Sequence, residues 1–462
     1  MKRLDNFLKF QDLRKEFQFF SYDDYHYNFA GNALEISYNF NLSGKYFFNP
    51  RINIPYKDNI LRPYDSLSAE ALDNLVFHAG MIELVSYWKA ACPQQVIIKP
   101  HKLSGAQVKF WKKIYYQGLG EFFYLNSIKV DEDSFMDLTG RGGKQINMIR
   151  DISPGGSLVP VGGGKDSAVS MGILNATGEN WLPFVINPRN TSREVILAAG
   201  KSVHDTIDFF REIHPLLIKL NGEGFLNGHT PFSALLAFYS LLAAYLTGRT
   251  DIVLSNESSA NEATVPGTTI NHQYSKSFEF ERDFRDYANM FISPGLNYFS
   301  LLRPLSELQI AKLFSAMPVF LHHFRSCNAG SKTDTWCGSC PKCLFTFIIL
   351  SPFLKPETIT GIFGKNLLDD PSLLDILEQL TGRQETKPFE CIGTVSEVNI
   401  ALNEAVRIYP AGELPYLIRV LRPPDESGGN SPDISGGYRK PKLNPDHFVP
   451  ERYHNLLLNA IG

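Results

Sequence analysis

The chain has 462 residues, of which 44% are hydrophobic, enough for the cores of two or three globular domains. Lysine and arginine number 45 against 48 aspartates and glutamates, and the net charge of −3 disfavours nucleic-acid binding, which needs a basic surface. The N-terminus lacks the pattern of a signal peptide. The strongest membrane candidate, 231–247, is shorter than the roughly 20 residues of a membrane span. We therefore expect a cytoplasmic protein without membrane insertion, with a buried helix at 231–247.

The first 150 residues are predicted to form a separate α+β domain. Apolar residues alternate from Leu34 to Leu42, a turn follows at Ser43–Gly44, and 46–54 returns, which together predict a hairpin. Further elements are predicted as a helix over 69–91, a strand over 96–98 and a helix over 105–117. This region has no catalytic motif, and we predict that residues 1–150 recognise the substrate.

The middle of the chain, residues 151–350, alternates apolar strands with helical stretches. The predicted strands are 158–161, 183–186 and 252–254. This alternation predicts an α/β fold with a doubly wound parallel sheet, whose ligands bind at the carboxyl ends of the strands. Ser306 and Gln309 have the spacing of a helix capping box.

A third section, residues 351–462, is predicted to be a helical and loop extension at the C-terminus. Within it, Pro423 to Lys440 is rich in glycine, proline, serine and charge, which predicts a mobile loop. Residues 447–458 are predicted to form a short closing segment.

The most informative stretch runs from Ser157 to Ser167 and reads Ser-Leu-Val-Pro-Val-Gly-Gly-Gly-Lys-Asp-Ser. A buried strand, a glycine-rich loop and the start of a helix follow one another here. Glycines in this position allow backbone N–H groups to surround phosphate oxygens, and the helix N-terminus adds positive potential. The pattern predicts a nucleotide site at Gly162 to Ser167.

Two common phosphate loops do not fit this stretch. A Walker A loop requires Ser or Thr after its lysine, but Lys165 is followed by Asp166. A dinucleotide fingerprint requires a third glycine where Ser167 stands. The run instead resembles the pyrophosphatase loop Ser-Gly-Gly-x-Asp-Ser of enzymes that cleave ATP between the α and β phosphates, with Gly162 in place of the first serine. The alternative is a glycine-rich turn without a ligand.

Four of the six cysteines are clustered with the spacing C-x9-C-x2-C-x2-C: Cys327, Cys337, Cys340 and Cys343. Such density indicates metal binding in a reducing compartment rather than disulfides. Four thiolates suit a tetrahedral structural Zn²⁺, which leaves no open coordination position for chemistry. An iron–sulfur cluster is the alternative. The spacing is similar to that of the zinc site of 7-cyano-7-deazaguanine synthase.

Several polar segments follow predicted strands or stand in predicted loops. Glu257 and Glu262 are candidates for binding metal or substrate, and Asn187 ends the second predicted strand, where adenine recognition by backbone is common in this fold. The remaining candidates can bind a carboxylate or move a proton: His272, Lys276 and Cys391. For each of these residues, a purely structural role is the alternative.

Together, these pieces resemble the ATP-dependent UDP-N-acetylmuramoyl-L-alanyl-L-glutamate epimerases of peptidoglycan precursor synthesis. The resemblance extends over most of the chain. It rests on the loop at 161–167, Ser255-Asn256-Glu257, Asn271-His272-Gln273-Tyr274-Ser275-Lys276-Ser277, Cys337-Gly338-x-Cys340-Pro341-Lys342-Cys343 and Lys387-Pro388-Phe389-Glu390-Cys391.

The resemblance implies a fold of the adenine nucleotide α-hydrolase type and a reaction through an acyl-adenylate. ATP would activate the α-carboxylate of the terminal L-glutamate of a UDP-muramoyl dipeptide, with release of pyrophosphate. Removal and return of the α-proton would then give D-glutamate, and hydrolysis would release AMP. The resemblance also implies functional coupling to the ligase that adds L-glutamate to muramoyl-alanine.

Site roles follow from the same resemblance. Gly163, Gly164 and Ser167 would hold pyrophosphate, together with Gly162; Lys165 would neutralise leaving charge and Asp166 would hold Mg²⁺. Cys391, His272 and Lys276 are the candidates for proton transfer, and the sequence does not order them. The alternatives are an acyl-adenylating synthase of the 7-cyano-7-deazaguanine type and an ATP-binding module without turnover. A thiolating tRNA enzyme is disfavoured by the acidic charge balance.

Overall fold

The computed structural model describes residues 3–150, 152, 155–265, 267–409, 413–421 and 443–461. Residues 423–440, for which a loop is predicted, lie outside the described residues. The strands are β1 Phe19–Ala30, β2 Ala33–Leu42, β3 Tyr46–Phe48, β4 Arg51–Pro55, β5 Gln95–Ile98, β6 Asp137–Gly140, β7 Ser157–Pro160, β8 Trp181–Ile186, β9 Ile207–Glu212, β10 Asp251–Leu254 and β11 Asn297–Ser300. The α-helices are α1 Phe7–Glu16, α2 Ala69–Trp88, α3 Gly105–Gly118, α4 Gly120–Leu125, α5 Lys165–Ala176, α6 Asn190–Ala198, α7 Pro215–Gly222, α8 Phe232–Thr247, α9 Phe278–Phe291, α10 Glu307–Ser315, α11 Pro341–Leu350, α12 Pro356–Phe363, α13 Leu374–Leu380, α14 Val395–Val406, α15 Tyr416–Leu421 and α16 Glu451–Ile461.

All the described strands join one mixed sheet in the order β11-β10-β7-β8-β9-β4-β2-β1-β5-β6, with β3 paired to β2. The strands from β11 to β9 are parallel, and so are β1, β5 and β6. Antiparallel pairing of β4 with both β2 and β9 joins the two parallel parts. The fold is therefore mixed α/β with a large, mostly parallel sheet.

The three parallel strands predicted in the middle of the chain are confirmed as β7, β8 and β10. β7 has β8 on one side and β10 on the other, although β10 follows β9 in the chain. The strand order therefore reverses between β7 and β10. In open α/β sheets, ligands bind outside the carboxyl ends of the strands at such a point.

The N-terminal hairpin is confirmed, with two corrections. The return strand predicted over 46–54 is broken into β3 and β4 at Pro50, which has no N–H to donate to the ladder. The helix predicted over 69–91 ends at Trp88. Cys92 adopts a left-handed conformation directly before Pro93, which is incompatible with a continuing helix.

Helices cover the parallel strands on both faces. α2 and α8 pack on one face, where α8 is buried over most of its length, as predicted for 231–247. α5, α10 and α11 form the other apolar layer. The capping box at Ser306 and Gln309 is confirmed at the start of α10. Across the described ranges, no helix is both long and apolar enough to cross a membrane.

Candidate active site

The carboxyl ends of β7 and β10 open into one cavity, at the point where the strand order reverses. Side chains from the phosphate loop, the segment after β10 and the C-terminal section share its wall. The sequence-predicted residues that line it are Gly162, Gly164, Lys165, Asp166, Ser167, Glu257, Lys276 and Cys391. The structure thus brings the predicted nucleotide site and two of the three proton-transfer candidates together.

Gly163 fixes the shape of the phosphate loop. Its φ of +90° lies in the left-handed region, and an added Cβ would lie 2.9 Å from Thr191 Cγ2. Its carbonyl accepts a hydrogen bond of 2.9 Å from the backbone N–H of Arg325. Gly162, by contrast, has open space where a Cβ would stand. Glycine is therefore needed at position 163, whereas position 162 can accommodate the serine of the usual pyrophosphatase loop.

The N-terminus of α5 faces the cavity. Gly164 is its N-cap, and no side chain among the described residues caps the first turn. The free N–H groups and the helix dipole make this terminus suitable for an anion. Arg189 and Arg325 also line the cavity and add positive charge, although the sequence did not indicate either of them.

Lys165 is almost fully buried between two carboxylates. Its Nζ lies 2.5 Å from Asp166 Oδ1 and 2.5 Å from Glu307 Oε2. Burial opposes the charged form, but Asp166 and Glu307 together raise the pKa of Lys165 above its ordinary value. The lysine is therefore charged and held in place at the base of the cavity.

Carboxylate oxygens are available for a hard divalent cation. Asp166 and Glu257 line the cavity, and Mg²⁺ prefers such oxygen ligands together with substrate phosphates. The Glu307 carboxyl also lines the cavity but is paired with Lys165. Glu262 has a different place: it forms an ion pair with Lys387. Arg303 holds this wall, because it donates to the carbonyl of Glu257 at 2.6 Å.

Cys391 lies against two cationic side chains. It is half-buried and hydrogen-bonds to both His272 and Lys276. Burial would raise the pKa of Cys391, but the charges of Lys276, Lys342 and His272 outweigh it and lower that pKa to about 5. Burial likewise opposes the charge of His272, whereas Cys391 and Glu121 raise its pKa to about 9. The pair is therefore a thiolate and an imidazolium at neutral pH.

The segment 387–393 is fastened to the loop that carries His272. The N–H of Lys387 donates to Thr264 O at 3.2 Å, and its Nζ donates to Gly393 O at 2.9 Å. Gln273 Nε2 donates to Ile392 O at 3.1 Å. The Lys387–Gly393 contact closes the segment on itself, and the contacts with Thr264 and Gln273 place Cys391 beside His272. That proximity could not be derived from two segments more than a hundred positions apart.

The clustered cysteines have the arrangement of ligands around a single ion. The Sγ atoms of Cys327, Cys337, Cys340 and Cys343 all lie within 4.8 Å of one another, and three of the Sγ–Sγ distances are 3.5 to 3.7 Å. Tetrahedral thiolates at about 2.3 Å from Zn²⁺ would be about 3.8 Å apart. The N–H of Gly330 also donates to Cys327 Sγ at 3.1 Å. The donor set fits Zn²⁺.

The cysteine cluster adjoins the cavity. Cys340 is the N-cap of α11, and Lys342, Phe345 and Thr346 of that helix line the cavity wall. The cluster therefore positions Lys342, one of the cations that lower the pKa of Cys391.

Asn187 lies outside this cavity. It lines a second cavity near Phe210, and its Nδ2 donates to Arg211 O at 2.9 Å while its Oδ1 accepts from the N–H of Arg211 at 2.7 Å. Its backbone N–H donates to Phe209 O. The structure does not bring Asn187 to the phosphate loop, and its part in adenine binding stays a prediction.

Comparison with known proteins identifies the family of this chain. A family model for the MurL N-terminal domain matches residues 11–301, and one for the MurL C-terminal domain matches residues 323–421. The UDP-N-acetyl-alpha-D-muramoyl-L-alanyl-L-glutamate epimerase of Xanthomonas oryzae pv. oryzae is 35% identical over 343 residues, which are 72% of this chain and 75% of that protein. The chain belongs to this epimerase family. It is therefore an isomerase.

Two further epimerases of the family are similar over a comparable length. The Salinispora tropica protein is 36% identical over 339 residues, 69% of this chain and 70% of that protein. The Micromonospora protein is 37% identical over 330 residues, 69% and 72% of the two chains. In the present epimerase, both matched regions build the cavity: the phosphate loop lies in the first, and Lys342 and Cys391 lie in the second.

Proposed function

We propose that this epimerase inverts Cα of the terminal L-glutamate of UDP-N-acetylmuramoyl-L-Ala-L-Glu through an acyl-adenylate. One observation carries the proposal: a loop suited to phosphates and a thiolate suited to proton abstraction face the same cavity. The substrate is the one that the names of the related epimerases state. The family assignment favours this reaction over an ammonia-consuming synthase or a non-catalytic module.

Activation of the substrate comes first. An α-carboxylate oxygen attacks the α-phosphorus of ATP, and the bond from that phosphorus to the bridging oxygen of the β-phosphate breaks. Gly162, Gly163, Gly164 and Ser167 bind the departing pyrophosphate with the N-terminus of α5. The charge of Lys165 stabilises the leaving group. These roles are the ones expected of a pyrophosphatase loop, and with them we propose a fold of the adenine nucleotide α-hydrolase type.

Activation makes the α-proton acidic enough for a protein base to remove. A free carboxylate opposes carbanion formation because like charges repel, and the acyl-adenylate no longer carries that carboxylate charge. The Cys391 thiolate removes the α-proton and becomes a thiol, while the charge of Lys276 stabilises the enolate. A protonated group on the opposite face, for which His272 and Lys276 are the candidates, donates a proton to Cα and gives the D-centre, and proton exchange with solvent then resets both groups. Water then cleaves the acyl-adenylate and AMP leaves.

Two metal ions complete the proposal. Asp166, with Glu257 nearby, would hold Mg²⁺ against the phosphates, where the ion supplies charge neutralisation. The four clustered cysteines would hold a structural Zn²⁺ that anchors the start of α11.

The cellular setting follows from the substrate. The enzyme would act in the cytoplasm, on a small molecule and without nucleic acid, directly after the ligase that adds L-glutamate to the muramoyl-alanine precursor. The division into a substrate-recognition domain at 1–150, an ATP-binding domain at 151–350 and an extension at 351–462 stays a prediction.

The test is an incubation in D₂O with ATP, Mg²⁺ and UDP-N-acetylmuramoyl-L-Ala-L-Glu, followed by chiral and mass analysis of the glutamate. We expect D-glutamate with one deuterium at Cα, together with AMP and pyrophosphate. Unlabelled L-glutamate without AMP would contradict the proposal. Omission of ATP is the control, because without activation no deuterium should enter.

A substitution at the phosphate loop tests whether the loop takes part in activation of the carboxylate. Asp166 is partly exposed to the cavity, so Asp166→Ala should leave the fold intact while AMP formation falls at least about 10²-fold. Circular dichroism and thermal unfolding check the fold. Near-normal AMP formation by a folded variant would contradict the role of this loop.

A further inference from the structure

A buried carboxylate lies behind the thiolate and imidazolium. Glu121, in α4, is 3% exposed, and its Oε2 forms a close contact with His272 Nδ1. His229 Nδ1 lies 3.5 Å from the same oxygen. Nothing in the sequence pattern pointed to Glu121 or His229, because neither belongs to a motif that resembles a catalytic one.

The contact with Glu121 sets the orientation of His272. Since Nδ1 faces the carboxylate, Nε2 is the nitrogen left to hydrogen-bond Cys391. The backbone N–H of His272 donates to Thr264 Oγ1 at 3.0 Å, which fixes the main chain as well. The imidazole of His272 therefore lies between the Glu121 carboxylate and the Cys391 thiol and interacts with both.

We propose that Glu121 is a positioning residue that holds His272 as an imidazolium with Nε2 on the Cys391 thiolate, so that Cys391 is ready to remove the α-proton. The inference rests on the proposed function for its catalytic meaning. It does not place Glu121 in contact with the substrate, because the carboxylate lies behind the imidazole and does not line the cavity.

Direct contact argues against a metal ion at this cluster. Glu121, His229 and His272 are close enough in space to suggest a metal site. Ligand atoms around one ion at about 2.0–2.2 Å must stand roughly 3 Å or more apart. The Glu121 and His272 side chains are in direct hydrogen-bond contact, so in this arrangement their ligand atoms pair with each other. The clustered cysteines, by contrast, keep the spacing of ligands around an ion.

The surrounding charges agree with this assignment. Burial lowers the pKa of His229 to about 4, so of the two histidines at Glu121 only His272 is cationic. Lys89, whose pKa burial lowers to about 8, also faces Glu121. On the other side, Lys276 and Lys342 face Cys391, and the carboxyl group of Glu390 lies nearby.

The experiment compares Glu121→Gln with the wild-type enzyme by alkylation of Cys391. The rate of iodoacetamide labelling is followed against pH, with mass spectrometry of the peptide that carries Cys391. The glutamine keeps the shape of the side chain but removes the charge that stabilises the imidazolium. We expect the labelling midpoint to rise by about one to three pH units. Deuterium exchange at Cα should fall about 10²-fold in kcat, with KM for ATP unchanged.

Three comparisons decide the outcome. Glu121→Asp, which keeps the charge, should restore a midpoint closer to that of the wild type. Glu279→Gln, an exposed carboxylate on α9, is the matched control and should change neither readout. A midpoint unchanged in a folded Glu121→Gln enzyme would overturn the proposal. If that variant does not fold, an unchanged midpoint and unchanged exchange in a folded His272→Gln enzyme would overturn it, because Glu121 is proposed to act through His272.

The labelling assay needs neither ATP nor substrate. If the wild-type protein fails to epimerise the muramoyl dipeptide but Glu121→Gln still shifts the labelling midpoint, the positioning role of Glu121 is supported and the proposed function is wrong. If epimerisation occurs and the labelling midpoint of Glu121→Gln does not move, the positioning role of Glu121 is wrong and the proposed function is supported.

Discussion

Lys165 Nζ and Glu307 Oε2 lie 2.5 Å apart in a buried ion pair that joins the first residues of α5 and α10. Two helix N-termini thus meet at the base of the cavity. The backbone N–H of Glu307 also donates to Glu397 Oε1 at 2.7 Å, which ties α14 to the same point. The pair connects the phosphate loop to the C-terminal section.

Removal of Lys165 should therefore affect stability as well as catalysis. Lys165→Met leaves Glu307 buried without its cation, which should lower the free energy of unfolding by about 3–5 kcal/mol. Urea denaturation measures this change. The control is Lys219→Met, which breaks an exposed pair with Glu223 and should cost about 0.5 kcal/mol or less. Equal losses in the two variants would contradict the structural role of the buried pair.

The two glycines at the start of the loop should respond differently to substitution. Gly163→Ala places a Cβ against Thr191 in a left-handed conformation, so pyrophosphate formation should fall and stability should drop by about 1–3 kcal/mol. Gly162→Ser enters open space and should leave both nearly unchanged. Pyrophosphate release and thermal unfolding give the two readouts. Severe loss in Gly162→Ser alone would show that the loop is held differently.

Cys391→Ala should separate the two halves of the reaction. The thiolate is not needed to activate the carboxylate, so ATP-dependent formation of AMP and pyrophosphate should persist. Exchange of the α-proton with D₂O should fall at least about 10²-fold, because the base is absent. Exchange at the wild-type rate would exclude Cys391 as the base and leave His272 and Lys276 as the candidates.

The pH dependence follows from the thiolate and imidazolium. Because the pKa of Cys391 is lowered to about 5, the thiolate is lost as the pH falls through that value. Because the pKa of His272 is raised to about 9, its charge is lost as the pH rises through that value. We expect a bell-shaped profile of kcat/KM for exchange between these limits. An activity that begins only near pH 8.5, as for an ordinary thiol, would contradict the assignment.

Metal analysis tests the cysteine cluster. Elemental analysis should find about one zinc per chain, and none at this site in a Cys337→Ser, Cys340→Ser variant. Loss of the ion should loosen the start of α11, displace Lys342 and raise the pKa of Cys391. Cys92→Ser is the control, because Cys92 is buried far along the chain from the cluster. Iron with a visible absorption band would overturn the zinc assignment.

Local patterns predicted much of this fold but not how its parts join. The alternation in β2 and the glycines after β7 are encoded within a few residues, and both elements are confirmed. The pairing of β4 with β9 depends on residues far apart in the chain, and nothing in either segment specifies it. Strands β9 and β11 mix polar residues with apolar ones, so hydrophobic periodicity gave little signal for them.

The candidate site likewise contains some residues that local motifs predict and others that only the folded structure reveals. Residues in recognisable motifs, such as Lys165, Lys276 and Cys391, were found from the sequence and line one cavity. Glu121 and Arg303 were not found from the sequence, because an isolated Glu or Arg is most often a solvated surface residue. Only burial and long-range hydrogen bonds distinguish these two residues.

The buried side chain of Arg303 holds two segments of the cavity wall together. It is completely buried and donates to the carbonyls of Glu257 and Lys276, at 2.6 and 2.5 Å, while its charge is balanced by Glu281 in α9. Glu257 and Lys276, an acidic and a basic residue of the cavity wall, are therefore both held by Arg303, which is not exposed to solvent. A search for inactive variants limited to the cavity surface would overlook α9, although a change at Glu281 would shift both walls at once.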